Sequence, residues 1–536
     1  MSQAKRASAS VAHTPEATVL FNSFPFIFAF LPVVLVGFLV LARVSERLAA
    51  GWLTVASLYF YAWWDVRYVA LLLASICFNF VLGSRIARQR ESRGPQASKR
   101  LLIAGIAVNL TLLAYFKYAL FFLSNLQILT GRFGALPIIV LPLGISFFTF
   151  TQIAFLVDVH RGIVREYRFM HYALFVSYFP HLIAGPILHH REMMPQFEQR
   201  ATYKLNWDGI AVGLTMFVIG LFKKTVIADD MASFVTPAFN AAAAGRSLTL
   251  LEAWGAALAY TFQIYFDFSG YTDMALGASR MFGIVLPLNF NSPYKARSVI
   301  DFWRRWHITL SRFLRDYVYI PLGGNRKTPS RRFVNIMATM LIGGLWHGAA
   351  WTFVVWGGLH GVYLLVNHRW RALRKSMNVR SLPGGGVLAT VITFVAIVVA
   401  WVFFRAPDLA TSANILASMV GQHGVVLPSE WQPSAGPVAS WLANHGVQFG
   451  ALAHFDRRAQ LNWLCFLLAF CWIAPNTQQI LAPYRPALLT AGYGDPGNAG
   501  VLTWRPSPLW ATASVALALF ALLSIHRYSE FIYFRF

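Results

Sequence analysis

The sequence predicts an all-α polytopic membrane protein, and three observations carry that expectation. Only 12% of its 536 residues are charged, against about 25% in soluble domains, while 57% are hydrophobic and 15% aromatic. The apolar residues come in long runs of helical length, which argues against a β-barrel, and the mean hydropathy is +0.53. The basic residues that bring the formal net charge to +24 fall in short loops between those runs. That is the positive-inside pattern of a membrane protein, so a nucleic-acid partner is set aside. The same charge offers an attractive surface to anionic lipid or to an anionic cytosolic donor.

Residues 1–19 read as a polar tail carrying Lys5 and Arg6, and residues 20–536 as one transmembrane domain. The first apolar run lacks a small-residue cleavage site and reads as a retained span. Spans are expected over residues 24–41, 52–64 and 68–83. A basic loop over 85–100 follows, with Arg85, Arg88, Arg90, Arg93, Lys99 and Arg100 placed in the cytoplasm. Spans over 101–123 and 137–157 lead to a second basic loop with Arg161, Arg165 and Arg168. In residues 175–197, Pro180, Gly185 and Pro186 interrupt the apolar run, which predicts a broken or re-entrant segment buried in protein. His181, His189 and His190 lie in it, the last two read as interfacial.

Residues 208–222 read as a short span ended by Lys223 and Lys224. The run over 253–282 holds two carboxylates, Asp267 and Asp273. They could cap a helix after a break at Gly270, pair with an arginine of residues 301–315, or orient a histidine. The most basic stretch, 295–332, is placed in the cytoplasm, followed by a hairpin over 333–349 and 352–366 and a span over 387–404. Residues 406–460 are polar and read as an extracytoplasmic loop or cap; spans over 461–481 and 509–525 complete the chain. The three cysteines, Cys77, Cys465 and Cys471, show neither disulfide nor metal spacing, so no metal is expected. Nor is there an internal repeat of the kind common transporters are built on.

Two pieces stand out. Residues 301–326, DFWRRWHITLSRFLRDYVYIPLGGNR, place Trp303, Trp306, Leu310, Phe313 and Tyr317 on one helical stripe. Asp301, Arg304, Arg305, Arg312 and Arg315 fall opposite, which predicts an interfacial helix with His307 at the border of its faces. Gly323-Gly324 reads as a turn. Residues 340–361 surround Trp346-His347 with small residues that let membrane helices approach closely. His347 lies 14 positions beyond Phe333. That is a helical rise of roughly 21 Å, deep in a hydrocarbon layer of about 30 Å. An ionisable residue at such depth marks a functional site by default. His360 reads as structural or supporting.

The motifs RRWHITLS, RDYVYIPLGGNR, GGLWHGAAWTFVVWGGLHG, YFDFSGYTDMALG, FPHLIAGPI and YAWWD resemble the membrane-bound O-acyltransferase family, in particular its bacterial branch for alginate O-acetylation. The resemblance covers roughly residues 24–405 and the FIYFRF end; it does not extend to residues 406–508, and the N-terminal tail is longer than the family suggests. It implies roughly 10–12 transmembrane helices, with re-entrant and interfacial helices, around a buried tunnel. It also implies passage of an acyl group from a cytoplasmic thioester, acetyl-CoA or another acyl thioester such as one on a carrier protein, to a hydroxyl on the far side of a bacterial inner membrane, with no permanently bound cofactor. The partners it implies are membrane lipid, a periplasmic acetyltransferase or polysaccharide-synthesis complex, and a polysaccharide acceptor. The family's recurrent histidines match His347 and His307, which become the expected catalytic pair.

Acyl transfer to a hydroxyl needs a base, and an imidazole kept neutral by apolar surroundings suits that task, here His347. The oxyanion needs a donor, from His307 or the Trp346 indole. The phosphates of a CoA donor suit Arg304, Arg305, Arg312 and Arg315, residues that positive-inside topology alone also explains. Rival readings are a D-alanyl transferase of the teichoic-acid type, a proton-coupled transporter or flippase with His347 and Asp267 as relay, and a passive scaffold.

Overall fold

The computed structural model describes residues 21–131, 136–166, 168–326, 328–378, 384–489, 492–493, 495–525 and 532. The polar tail over 1–19 lies outside the described residues, as does the FIYFRF end apart from Ile532. The architecture is helical; one short parallel pair, Val425–Pro428 with Val447–Gly450, is the sheet among the described residues. Four helices there are long and apolar enough to cross a membrane: Arg67–Arg93, Pro95–Thr130, Trp207–Ala243 and Gly385–Arg405. Shorter apolar helices, including Phe26–Ala42, Ala459–Ile473 and Pro508–Leu523, accompany them.

The chain divides into two compact units. The first comprises Met1–Phe116, Ile139–Leu214 and Ala275–Leu286. Its helices approach at small residues: a Cβ on Gly105 would meet Leu82 and Leu156, and one on Gly83 would meet Phe155. Asn79 and Asn109 exchange amide hydrogen bonds in this apolar setting, which satisfies both. The basic stretch expected as a loop over 85–100 is helical on both sides of Gly94, whose φ of +81° makes the turn. The span expected from 137 begins as a helix only at Ile145, because Pro137, Pro142 and left-handed Gly144 hold the chain before it extended. Two carbonyls of that extended stretch are satisfied, Leu143 by the Tyr61 hydroxyl and Val140 by that of Tyr68.

The interrupted segment is broken as expected, into Phe169–Ser177, Phe179–Leu182 and His190–Phe197. Its freed polar groups find partners: the Phe179 amide donates to Ser57 Oγ, and His181 Nε2 contacts the Phe175 carbonyl at 2.8 Å. His189 and His190 are buried, beside Asp158 and Glu166 respectively, and do not lie at a surface.

The second unit comprises Lys117–Ile138, Thr215–Met274 and Pro287–Phe536. Lys223 and Lys224 do not end a span. The helix runs through them in a π-helical turn, Lys223–Ala228, and continues to Ala243. It can do so because both ammonium groups are matched: Lys224 by Asp229 and Asp267, each at 2.8 Å, and Lys223 by Asp273 at 2.6 Å. These pairs also correct the expectation for the carboxylates, which bind lysines and not an arginine of residues 301–315. The Leu250–Met281 helix has no break at Gly270. A Cβ there would sit 2.7 Å from the Gly220 carbonyl, so the glycine serves close backbone packing.

Pro329–His347 and Trp351–Ser376 form the expected hairpin. A Cβ on Gly344 would stand 2.3 Å from the Phe353 carbonyl, and one on Gly357 would stand 2.4 Å from that of Met340. Residues 406–460 hold the Leu409–Met419 helix, the parallel pair and two short helices between its strands.

Candidate active site

The aromatic and arginine-rich piece is not one helix. It breaks into Val299–Trp303, which Ser298 caps through the Asp301 amide, and Ile308–Phe313, which runs on into the π-helical turn Leu314–Tyr319. The break is at His307, whose φ of +43° and ψ of +55° are left-handed, a conformation L-residues avoid. Asn289 holds it there: its backbone carbonyl accepts from the Ile308 amide at 2.9 Å, and its side-chain oxygen accepts from the Thr309 hydroxyl at 2.9 Å. Trp303, Trp306, Leu310 and Phe313 are buried as the stripe implied, and Tyr317 is half-buried. The arginines separate. Arg304 is exposed, Arg305 pairs with Asp301 at 2.9 Å, and Arg315 pairs with Asp316 at 2.7 Å. Arg312 is buried, so it does not sit on an outer charged rim with the others, because the kink at His307 turns the second helix.

His307 is 0% exposed and His347 is 3% exposed. Their ring centroids lie 6.5 Å apart, and Trp346 stands 6.0 Å from His307. Around them is an aromatic box. Phe268 meets His307 edge-on at 4.8 Å; Trp356 and Phe404 meet His347 the same way at 5.0 and 5.1 Å. These rings, with the burial of both imidazoles, leave the pair in largely apolar surroundings. His360, also buried, accepts from the Trp303 indole at 3.3 Å and so secures part of the surrounding aromatic packing.

His347 is the last residue of its helix, where carbonyls lack intrahelical partners. Two side chains from another π-helical turn, Ala114–Tyr118, satisfy them. Lys117 Nζ donates to the Trp346 carbonyl at 2.5 Å and to that of His347 at 3.3 Å; the Tyr118 hydroxyl donates to that of Leu345 at 2.7 Å. A cation at the negative end of a helix dipole stabilises that end. The sequence reading missed Lys117 and Asn289. Lys117 had a signal, a charge inside the apolar run over 101–123; Asn289 had none as plain.

Between Leu314–Tyr319 and Pro329–His347 lies a cavity of about 150 Å³, lined by Trp303, Leu314, Arg315, Tyr319, Ile336 and Met340 among others. Its lining is largely apolar, with Ser311, Thr339, Tyr319 and Arg315 as the polar members, and it lies along the helix that ends in His347.

The family model of the membrane-bound O-acyltransferases matches residues 108–405, which hold all of these groups and more than half of the chain. The chain belongs to the membrane-bound O-acyltransferase family. As a member it is a membrane O-acyltransferase, which sets aside the transporter and scaffold readings. The peptidoglycan O-acetyltransferase of Helicobacter pylori is 47% identical over 438 residues, covering 76% of this chain and 81% of that one. The probable alginate O-acetylase AlgI of Pseudomonas aeruginosa is 38% identical over 550 residues, 97% of this chain and all of that one. The teichoic acid D-alanyltransferase of Bacillus subtilis is 32% identical over 266 residues, 47% of this chain and 65% of that one.

Proposed function

We propose that this O-acyltransferase moves an acetyl group from a cytoplasmic thioester, acetyl-CoA, across a bacterial inner membrane to hydroxyls of an exported polysaccharide or to a periplasmic acetyltransferase partner. The observation that carries the reading is the buried pair of imidazoles, 6.5 Å apart, in a chain that aligns nearly end to end with an O-acetylase. The D-alanyltransferase relative covers under half of the chain, which favours acetyl over D-alanyl as the group moved.

In the proposed reaction His347 takes the proton of the acceptor hydroxyl as its oxygen attacks the thioester carbonyl carbon. The tetrahedral intermediate collapses by breaking the carbon–sulfur bond, and the departing thiolate takes the proton from the His347 imidazolium. Positioned base catalysis of this kind contributes typically 10²- to 10⁴-fold. The aromatic box keeps competing water from the thioester. Of the arginines expected to meet the donor's phosphates, Arg304 and Arg305 are proposed to do so, Arg312 being buried, and the cavity that Arg315 flanks is proposed to take the narrow arm of a thioester.

The test is purified protein in liposomes supplied with labelled acetyl-CoA or with D-alanyl carrier protein. Acetyl transfer by the wild type and its loss in a folded His347→Ala variant are expected. Normal transfer by that variant, or use of the D-alanyl carrier alone, overturns the proposal.

A further inference from the structure

We infer that Asn289 is a positioning residue that sets the tautomer of His307, so that the neutral imidazole presents a lone pair at Nε2 and enters the reaction as an acceptor of hydrogen, not a donor. The tautomer rests on geometry alone; its use in the reaction rests on the proposed function.

The side-chain oxygen of Asn289 lies 3.1 Å from His307 Nδ1 and 3.3 Å from the backbone nitrogen of Thr309. A backbone N–H can only donate, so the Asn289 atom facing it is the oxygen and not the amide nitrogen. The amide nitrogen points the other way, toward Thr272 Oγ1 at 3.4 Å. An oxygen with no hydrogen bonds a ring nitrogen only if that nitrogen carries one. Nδ1 of His307 is therefore protonated, and a neutral ring then leaves its lone pair on Nε2.

Asn289 is fully buried, and it grips both the backbone and the ring. Its own carbonyl bonds the Ile308 amide, on the far side of the left-handed residue, and the Asn291 amide bonds the Arg305 carbonyl at 2.9 Å. One residue thus fixes where the ring stands and which nitrogen bears the hydrogen. Phe268, perpendicular at 4.8 Å, limits rotation of the ring.

A lone pair at Nε2 cannot bond an oxyanion, which needs donors. It can accept the O–H of the incoming hydroxyl as that group docks, before the single hydrogen turns to His347 for the attack. Oxyanion donation then falls to another group, for which the indole of Trp346, 6.0 Å from His307, is the candidate.

The test is nitrogen-15 NMR of histidine-labelled protein in lipid nanodiscs, with the His307 signals found by their loss in His307→Gln. Protonated Nδ1 with unprotonated Nε2 is expected. Asn289→Leu is expected to abolish that preference and lower kcat about 100-fold, the low end of what positioned acid–base groups contribute. Asn289→Asp is expected to keep the tautomer and rescue part of the rate. Its carboxylate favours the imidazolium, so the acidic limb of the kcat profile moves to higher pH. A purely structural asparagine would lower the folded yield of both variants without moving tautomer or limb. Protonated Nε2 in the wild type, or an unchanged tautomer in Asn289→Leu, overturns the inference. The expected tautomer together with a fully active His307→Ala leaves the tautomer assignment standing and overturns the entry of His307 into the reaction.

Discussion

Replacing Lys117 by Met tests how the helix that ends in His347 is held, and with it the proposed role of that histidine. The change removes an ammonium that bonds the last two carbonyls of the Pro329–His347 helix at 2.5 and 3.3 Å, and it keeps an unbranched apolar stem in the same space. Hydrogen bonds from a charged donor contribute about 1.5–3 kcal/mol each, with about 0.3–2 kcal/mol more from the helix dipole. Against this, burying an ammonium costs several kcal/mol, and methionine removes that cost. The terms oppose each other in folding, so the melting temperature should change little. They do not oppose each other in catalysis, because the turn that loses its anchor is the one that aims His347. A loss of about 1.4–2.7 kcal/mol of transition-state stabilisation corresponds to a 10- to 100-fold fall in kcat. Acyl transfer in liposomes, normalised to folded protein by size-exclusion chromatography, measures it. Wild-type turnover in Lys117→Met, or a fall no greater than the fall in folded protein, would refute the argument.

Three further outcomes follow from the same contacts. His307→Gly and His307→Ala both delete the imidazole, but only glycine takes a φ of +43° without strain. The glycine variant should therefore be the more stable by about 1–2 kcal/mol in thermal unfolding; equal melting would show that the kink stores no strain. Asp267→Ala leaves Lys224 with only one of its two carboxylate partners and removes the acceptor of the Ile532 amide, so it should destabilise by about 3–5 kcal/mol, read as a lowered melting temperature in detergent. Gly344→Val puts a branched side chain where even a Cβ would stand 2.3 Å from the Phe353 carbonyl, and should yield no monodisperse protein; a well-folded variant would show that the hairpin can part there.

The legible part of the site was the part written in residue type. His347 within its small residues, His307 after RRW, and the breaks at Pro180, Gly185 and Pro186 could all be read directly, because glycine and proline act on the backbone where they stand. The continuous helix assumed across Asp301 and Tyr317 was wrong for a non-local reason. Periodicity there is helical on both sides of His307, and what turns the chain is Asn289, 18 residues earlier. Lys223 and Lys224 looked like the end of a span for the same kind of reason: their partners, Asp267 and Asp273, lie on another helix. Arg312 was grouped with a charged face that the kink removes.

The motifs marked two histidines through their resemblance to the family, and composition and hydropathy alone determined that this chain lives in a membrane. Transfer free energy from water to hydrocarbon is close to additive along a chain, so these properties can be read residue by residue. Tertiary structure decided how each buried polar group is satisfied: which carboxylates neutralise the lysines, what bends the chain at His307, and how Lys117 meets carbonyls more than 200 residues away. With no water to complete a hydrogen bond inside a bilayer, every such group needs a protein partner, and only folding brings distant partners together.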